Sequence, residues 1–139
     1  QSLIDNVQGD LSSSFGSMPG SQSDGAKIFG EIAAAAGIDG SGPYAPESYD
    51  AGALIALAIQ AGGSADRASI AANIQKVANA PGTKILPGEI GKGLKILADG
   101  GFVNYEGASN VEFTEVGEAS GSFKELEISG GKFVVAAIR

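Results

Sequence analysis

The sequence predicts an α/β domain, and three observations carry that prediction. Apolar residues recur at helical spacing through roughly residues 20–100, the pattern turns extended after Gly101, and the chain closes on a hairpin of two strand-like runs. Its 139 residues suffice for one domain with a real core, and 43% hydrophobic content excludes a disordered chain. About four helices and a C-terminal β-hairpin are expected.

The first twenty residues hold a short helical or irregular piece around Leu3, Ile4 and Val7, then a strand near Leu11 to Met18 closed by Pro19 and Gly20. Ser21 or Ser23 can cap a helix beginning near Asp24. Ile28, Phe29, Ile32, Ala33 and Ala36 give it one apolar face, and Gly37 ends it.

Residues 42–63, GPYAPESYDAGALIALAIQAGG, organise the middle of the chain. Pro46 suits the first turn of a helix, because its missing N–H would have had no partner there. Glu47 and Asp50 place negative charge near the helix start, and Gly62 and Gly63 supply a left-handed stop. Leu54, Ile55, Leu57 and Ile59 spread around the circumference, so this helix is expected to be covered on several sides. The run Ala51 to Ile59 is much shorter than the roughly 18 to 20 apolar residues that span a bilayer.

Ser64 is expected to cap the next helix, which shows Ile70, Ile74 and Val77 on one face and ends before Pro81 and Gly82. Ile85 and Leu86 sit in a turn, and a fourth helix runs from about Glu89 to Ala98. This reading gives three helices in succession with no strand between them. Beyond Gly101, Val111 to Thr114 reads as a strand and Glu115 to Gly121 as a turn. Phe123 to Ile128 and Lys132 to Ile138 form a hairpin around Ser129, Gly130 and Gly131. Leu126 and Ile128 alternate with Glu125 and Glu127, so that strand has one wet face. The second strand, FVVAAI, is apolar throughout and needs cover that the hairpin cannot give.

Composition narrows the function. Nine Lys and Arg against 16 Asp and Glu give a net charge of -7, which argues against nucleic acid and anionic membranes as partners. The sequence has no Cys and no His, so thiol nucleophiles, imidazole bases, disulfides and thiolate metal sites are excluded. Ser12, Ser13 and Ser14 have no histidine to activate them. Residues 88–95, GEIGKGLK, fail as a phosphate loop, because Gly93 follows Lys92 where a Ser or Thr should reach magnesium. Asp24, Glu31, Asp39, Glu47 and Asp50 lack the DxDxDG spacing of a calcium loop and read as solvated caps. No enzyme activity, cofactor or metal is expected. No export signal is expected within the first residues, since Gln1 leads into a polar, glycine-containing stretch.

The tyrosines are the candidate functional residues. Tyr49, on the helix, is expected to pack. Tyr44 precedes the helix in a loop stiffened by Pro43 and Pro46, where a ring can face a cleft at little ordering cost. Glu47 is the second candidate for ligand contact, its alternative role being charge at the helix start.

YAPESYDAGALIALAIQAGGSADRASIAANIQ is similar to a pattern in type I periplasmic solute-binding proteins of branched-chain amino acid (Leu/Ile/Val) ABC transporters. In that family a "Y…YDA" segment opens a long Ala- and Leu-rich helix, followed by an "AGS" turn and a second helix. The segment VNYEGASNVEFTEVGEASGSFKELEISGGKF resembles the family's closing passage, with Thr114, Val116 and Glu118 in place of the usual acidic, Asn-like and Asp residues. Residues 7–37 match the part before.

The resemblance covers nearly the whole chain but only about the last third of such a protein. It implies a C-terminal fragment of a two-lobed periplasmic-binding-protein type I fold. Residues 1–139 then belong to one ligand-binding domain, with about 20–100 the helical part of the first lobe and about 102–139 closing strands near the hinge or second lobe. It also implies an extracytoplasmic solute-binding component of an ABC importer, periplasmic or lipid-anchored, that closes on a small amino acid. Tyr44 matches an aromatic cleft position, whereas Tyr49 and Asp50 match the structural helix opening. The implied partners are the amino acid, the permease subunits and the amino-terminal remainder of the receptor. A ligand-sensing domain of the same fold, for amides or amino acids, and a self-standing α/β interaction domain are the alternatives. The last includes a strand-swapped homodimer.

Overall fold

The computed structural model describes residues 2–7 and 9–139 of the chain, and for Ser2 and Leu3 the backbone alone. Among the described residues five helices and seven strands make a mixed α/β arrangement, opening with the short α1 (Ser2–Asn6). No described helix is long and apolar enough to cross a membrane.

The centre is a parallel pair, β2 (Thr83–Ile85) and β3 (Val103–Tyr105), joined by the crossover helix α5 (Ile90–Ala98). This pair corrects the expectation of three successive helices, since β2 separates α5 from α4 (Arg67–Ala78). Each strand has only three residues, too few to show a period, and Ile85 is the sole large apolar residue in β2. Ile85, expected in a turn, instead ends β2.

Around this pair pack α3 (Ala45–Gly62), α4 and α5. Leu57, Val77, Ile85, Val103 and Tyr105 are essentially inaccessible to water. Each contributes about 1.5–3 kcal/mol of burial relative to an exposed side chain. Two glycines set the helix spacing: a Cβ on Gly93 would press on Leu57, and one on Gly62 would run into Ser69 and Asn73. Gly62 is still helical, and Gly63 at φ 63° is the left-handed stop.

The remaining helix boundaries follow local chemistry. Ser23 caps α2 (Asp24–Ala35) by accepting the Ala26 N–H at 3.1 Å. Asp66, not Ser64, occupies the cap of α4, while the Ser64 hydroxyl donates to the Asp66 carboxylate at 2.9 Å. The covered face of α3 comprises Asp50, Ala53, Leu54, Leu57 and Ala58. Ile55 remains 43% exposed beside exposed Ala51 and Gly52, so cover is missing on one side, contrary to expectation.

A second sheet runs in the order β1 (Phe15–Pro19), β6 (Phe123–Ser129), β7 (Lys132–Ile138), all antiparallel. Leu11 to Ser14 form a turn rather than the expected start of β1, and Pro19 lies inside the strand. The hairpin falls where the sequence placed it, with Gly130 and Gly131 both at positive φ in its turn. A third, two-stranded piece pairs β4 (Glu112–Phe113) with β5 (Ala119–Ser120). It is tied to α4 by Asn79, whose amide donates to the Phe113 carbonyl at 2.6 Å and accepts the Phe113 N–H at 2.9 Å.

Candidate functional site

The carboxyl ends of β2 and β3 and the amino-terminal turns of α2 and α3 converge at one end of the fold, where ligands of open α/β sheets commonly bind. The convergence follows from contacts between distant residues. Tyr49 in α3 accepts the Gly88 N–H, just past β2, at 3.0 Å. Asp50 in α3 bonds the loop that follows β3, and a Cβ on Gly25 in α2 would collide with the Gly107 carbonyl of that same loop.

Asp50 is the hub. At 2% exposure its carboxylate accepts four hydrogen bonds. Oδ1 takes the Tyr105 hydroxyl at 2.7 Å and the Ala108 N–H at 2.8 Å, while Oδ2 takes the Ser109 N–H at 2.7 Å and its hydroxyl at 2.6 Å. A buried carboxylate is tolerated only with such complete satisfaction. Burial first, and the Asp50 charge second, push the Tyr105 hydroxyl far above the ordinary tyrosine range. Gly107, at φ 60°, makes room for the carboxylate, since a Cβ there would overlap both Asp50 and the Tyr105 ring.

Asp50 thus departs from its expected role as a solvated charge at the helix start. Its spacing carried a usable signal: Asp50, Ala53, Leu54 and Leu57 share one helical stripe, so an apolar stripe predicted from the last three already contains the acid. The expectation that Asp50 is structural agrees with the geometry.

Tyr49 packs as expected. Its ring lies 5.3 Å from that of Phe29 at a 52° tilt, and with Ala45 it joins a small cluster of Phe29, Ala33 and Ala108. Both Tyr49 and Asp50 therefore fix the first turns of α3 against α2 and the loops after β2 and β3.

Tyr44 stands at the free end of that fixed turn. It adopts the left-handed conformation, φ 64° and ψ 8°, immediately before the helix. That conformation is strained for a residue with a Cβ and commonly accompanies functional positions. Its carbonyl accepts the Ser48 N–H at 2.9 Å, and the side chain is 61% exposed. Glu47, in the first turn, is half-buried, and its Oε2 is shielded from solvent without a hydrogen-bond donor. The structure therefore brings Tyr44 and Glu47 onto one helical turn at the carboxyl end of the parallel strands.

Other sequence candidates resolve into local pairs. Lys92 salt-bridges Glu89 at 2.9 Å in α5, and the Glu89 carboxylate also accepts the Leu86 N–H at 3.0 Å. Asp39 accepts from Ser41, and Asp24 pairs with Lys27 at 3.3 Å. Among the described residues, no cluster of three or more His, Cys, Asp or Glu could hold a metal ion. Comparison with protein-family models, with curated proteins and with solved structures finds no match for this chain.

Proposed function

We propose that the chain is the C-terminal part of a type I periplasmic solute-binding protein, the extracytoplasmic component of an ABC importer for a branched-chain or related small amino acid. The observation that supports this reading best is the exposed Tyr44 ring, held in left-handed geometry at the carboxyl ends of the parallel strands. In this reading Tyr44 covers the ligand's apolar side chain. Glu47, half-buried in the first turn with its Oε2 shielded from solvent, adds negative charge beside that ring. The binding surface is one wall only, because two lobes must close for a ligand to be enclosed. Docking to permease subunits and a periplasmic or lipid-anchored location belong to the same proposal.

Calorimetry tests it. The 139-residue chain titrated with L-leucine, L-isoleucine or L-valine is expected to show no micromolar binding, whereas the receptor carrying its amino-terminal part binds. Within that receptor, Tyr44→Ala is expected to weaken affinity by about tenfold, the loss of one aromatic contact. Micromolar binding by the isolated chain overturns the reading that it forms one wall only, and an unchanged affinity in the Tyr44→Ala receptor overturns the proposal.

A further inference from the structure

Two adjoining hollows, of about 140 and 200 Å³, open at the carboxyl end of β3, and Asn110 and Glu112 line both. Together they reach the roughly 300 Å³ at which small-molecule sites begin. Ser120 and Ser122 help to complete the first, and Asn104 and Glu106 the second. Tyr44 lines neither.

The strand and the loop behind it place these side chains. Val103 and Tyr105 are buried in the core, so strand alternation turns Asn104, half-buried between them, to the other face of β3. Tyr44 and Asn110 are the described non-glycine residues at positive φ, Asn110 at 58°. Its neighbours are anchored on both sides. The Ser109 N–H and hydroxyl end on Asp50, and the Val111 N–H donates to the Glu106 carbonyl at 2.9 Å. The loop thus holds Asn110 in a conformation that costs energy, and presents it with little left to order on binding.

The walls carry unspent hydrogen-bonding capacity. Among the described residues the side chains of Asn104, Asn110, Glu112, Ser120 and Ser122 make no hydrogen bond or ion pair, while Glu106 is paired with Lys84. Carboxamides and hydroxyls both donate and accept, whereas a metal ion uses acceptors alone and an anion donors alone. An apolar ligand would strip water from these groups and return nothing. The mixture suits a neutral molecule with several hydroxyl groups.

We propose that the hollows at the end of β3 hold a small polyhydroxyl ligand of monosaccharide size. Asn104 and Asn110 donate to and accept from its hydroxyls, and Glu112 accepts from one. The proposal does not depend on the amino-acid reading of Tyr44. No aromatic ring lines the hollows, so millimolar affinity is expected.

Amide NMR titration of the 139-residue chain with D-glucose, D-galactose and D-xylose tests it. At least one sugar is expected to give saturable shifts centred on residues 104–112 and 120–122. Asn110→Gly deletes the side chain yet suits the left-handed backbone, and it should weaken that binding by about fivefold or more, as should Asn104→Ala. Signal dispersion in the same spectra identifies a variant that fails to fold, and the other variant then decides. Calcium chloride is the counter-probe: saturable shifts at these residues with calcium and with none of the sugars make this a cation site and overturn the proposal. Sugar shifts that do not saturate or centre elsewhere, or a folded variant that binds like the parent, also overturn it.

Discussion

Replacing Asp50 tests the site's architecture more severely than any other single change. In Asp50→Ala the hydroxyl of Tyr105 and the N–H of Ala108, both fully buried, lose their acceptor, and half-buried Ser109 loses two. Each buried donor left unpaired costs about 1–3 kcal/mol, offset in part because no carboxylate need then be desolvated. A net loss of about 4 kcal/mol is expected, a large share of the roughly 5–15 kcal/mol of an ordinary domain. Asp50→Asn keeps one oxygen acceptor but turns an amide nitrogen toward the Ser109 N–H, so about half that loss is expected. Urea unfolding followed by far-UV circular dichroism measures both, with the midpoint moving and the slope unchanged. A loss below about 1 kcal/mol for Asp50→Ala would refute the view that this carboxylate holds the site end together.

Gly107→Ala should destabilise the chain by about 2 kcal/mol or more in the same assay, because the added Cβ meets the Asp50 carboxylate at a positive φ. Tyr105 gives a pH signature. Its folded-state value lies above the ordinary 10.0, so the folded chain keeps a proton that the unfolded chain releases. Its contribution is complete below that ordinary value, and it is lost at about 1.4 kcal/mol per pH unit as pH rises above it. Tyr105→Phe should lose that part of the alkaline slope in urea titrations at several pH values. Tyr44→Ala should leave the unfolding midpoint within about 0.5 kcal/mol of the parent, as expected for an exposed side chain, so that any loss of receptor affinity reports on contact.

Much of this fold was legible because strong local chemistry agreed with periodicity. The α2 cap, at Ser23 of the two serines expected to serve, the stop at Gly63 of the expected glycine pair, and the Gly130–Gly131 turn all act within a few residues. The parallel pair was not legible. β2 and β3 are three residues each and find one another across a helix, so their partners are set by distant packing. The candidate site divides in the same way. Tyr44 stood out through its flanking prolines, and Tyr49 through its place on the helix. Asp50 was read as a helix-start charge because its four donors lie 55 to 59 residues away. The loop geometry of Gly107 and its approach to Gly25 belong to the same long-range class.

The Asp50 hub has a consequence for motion. Residues 106–111 are a loop, and loops commonly exchange their amide hydrogens through small local openings. Here the Ala108 and Ser109 amides end on a buried carboxylate of α3. Releasing them means withdrawing a charge from its donors, which costs far more than fraying a turn. Their exchange should therefore follow the opening of the helical core, as slowly as the amides of β3. A segment irregular in shape would then belong, by its dynamics, to the most rigid part of the molecule.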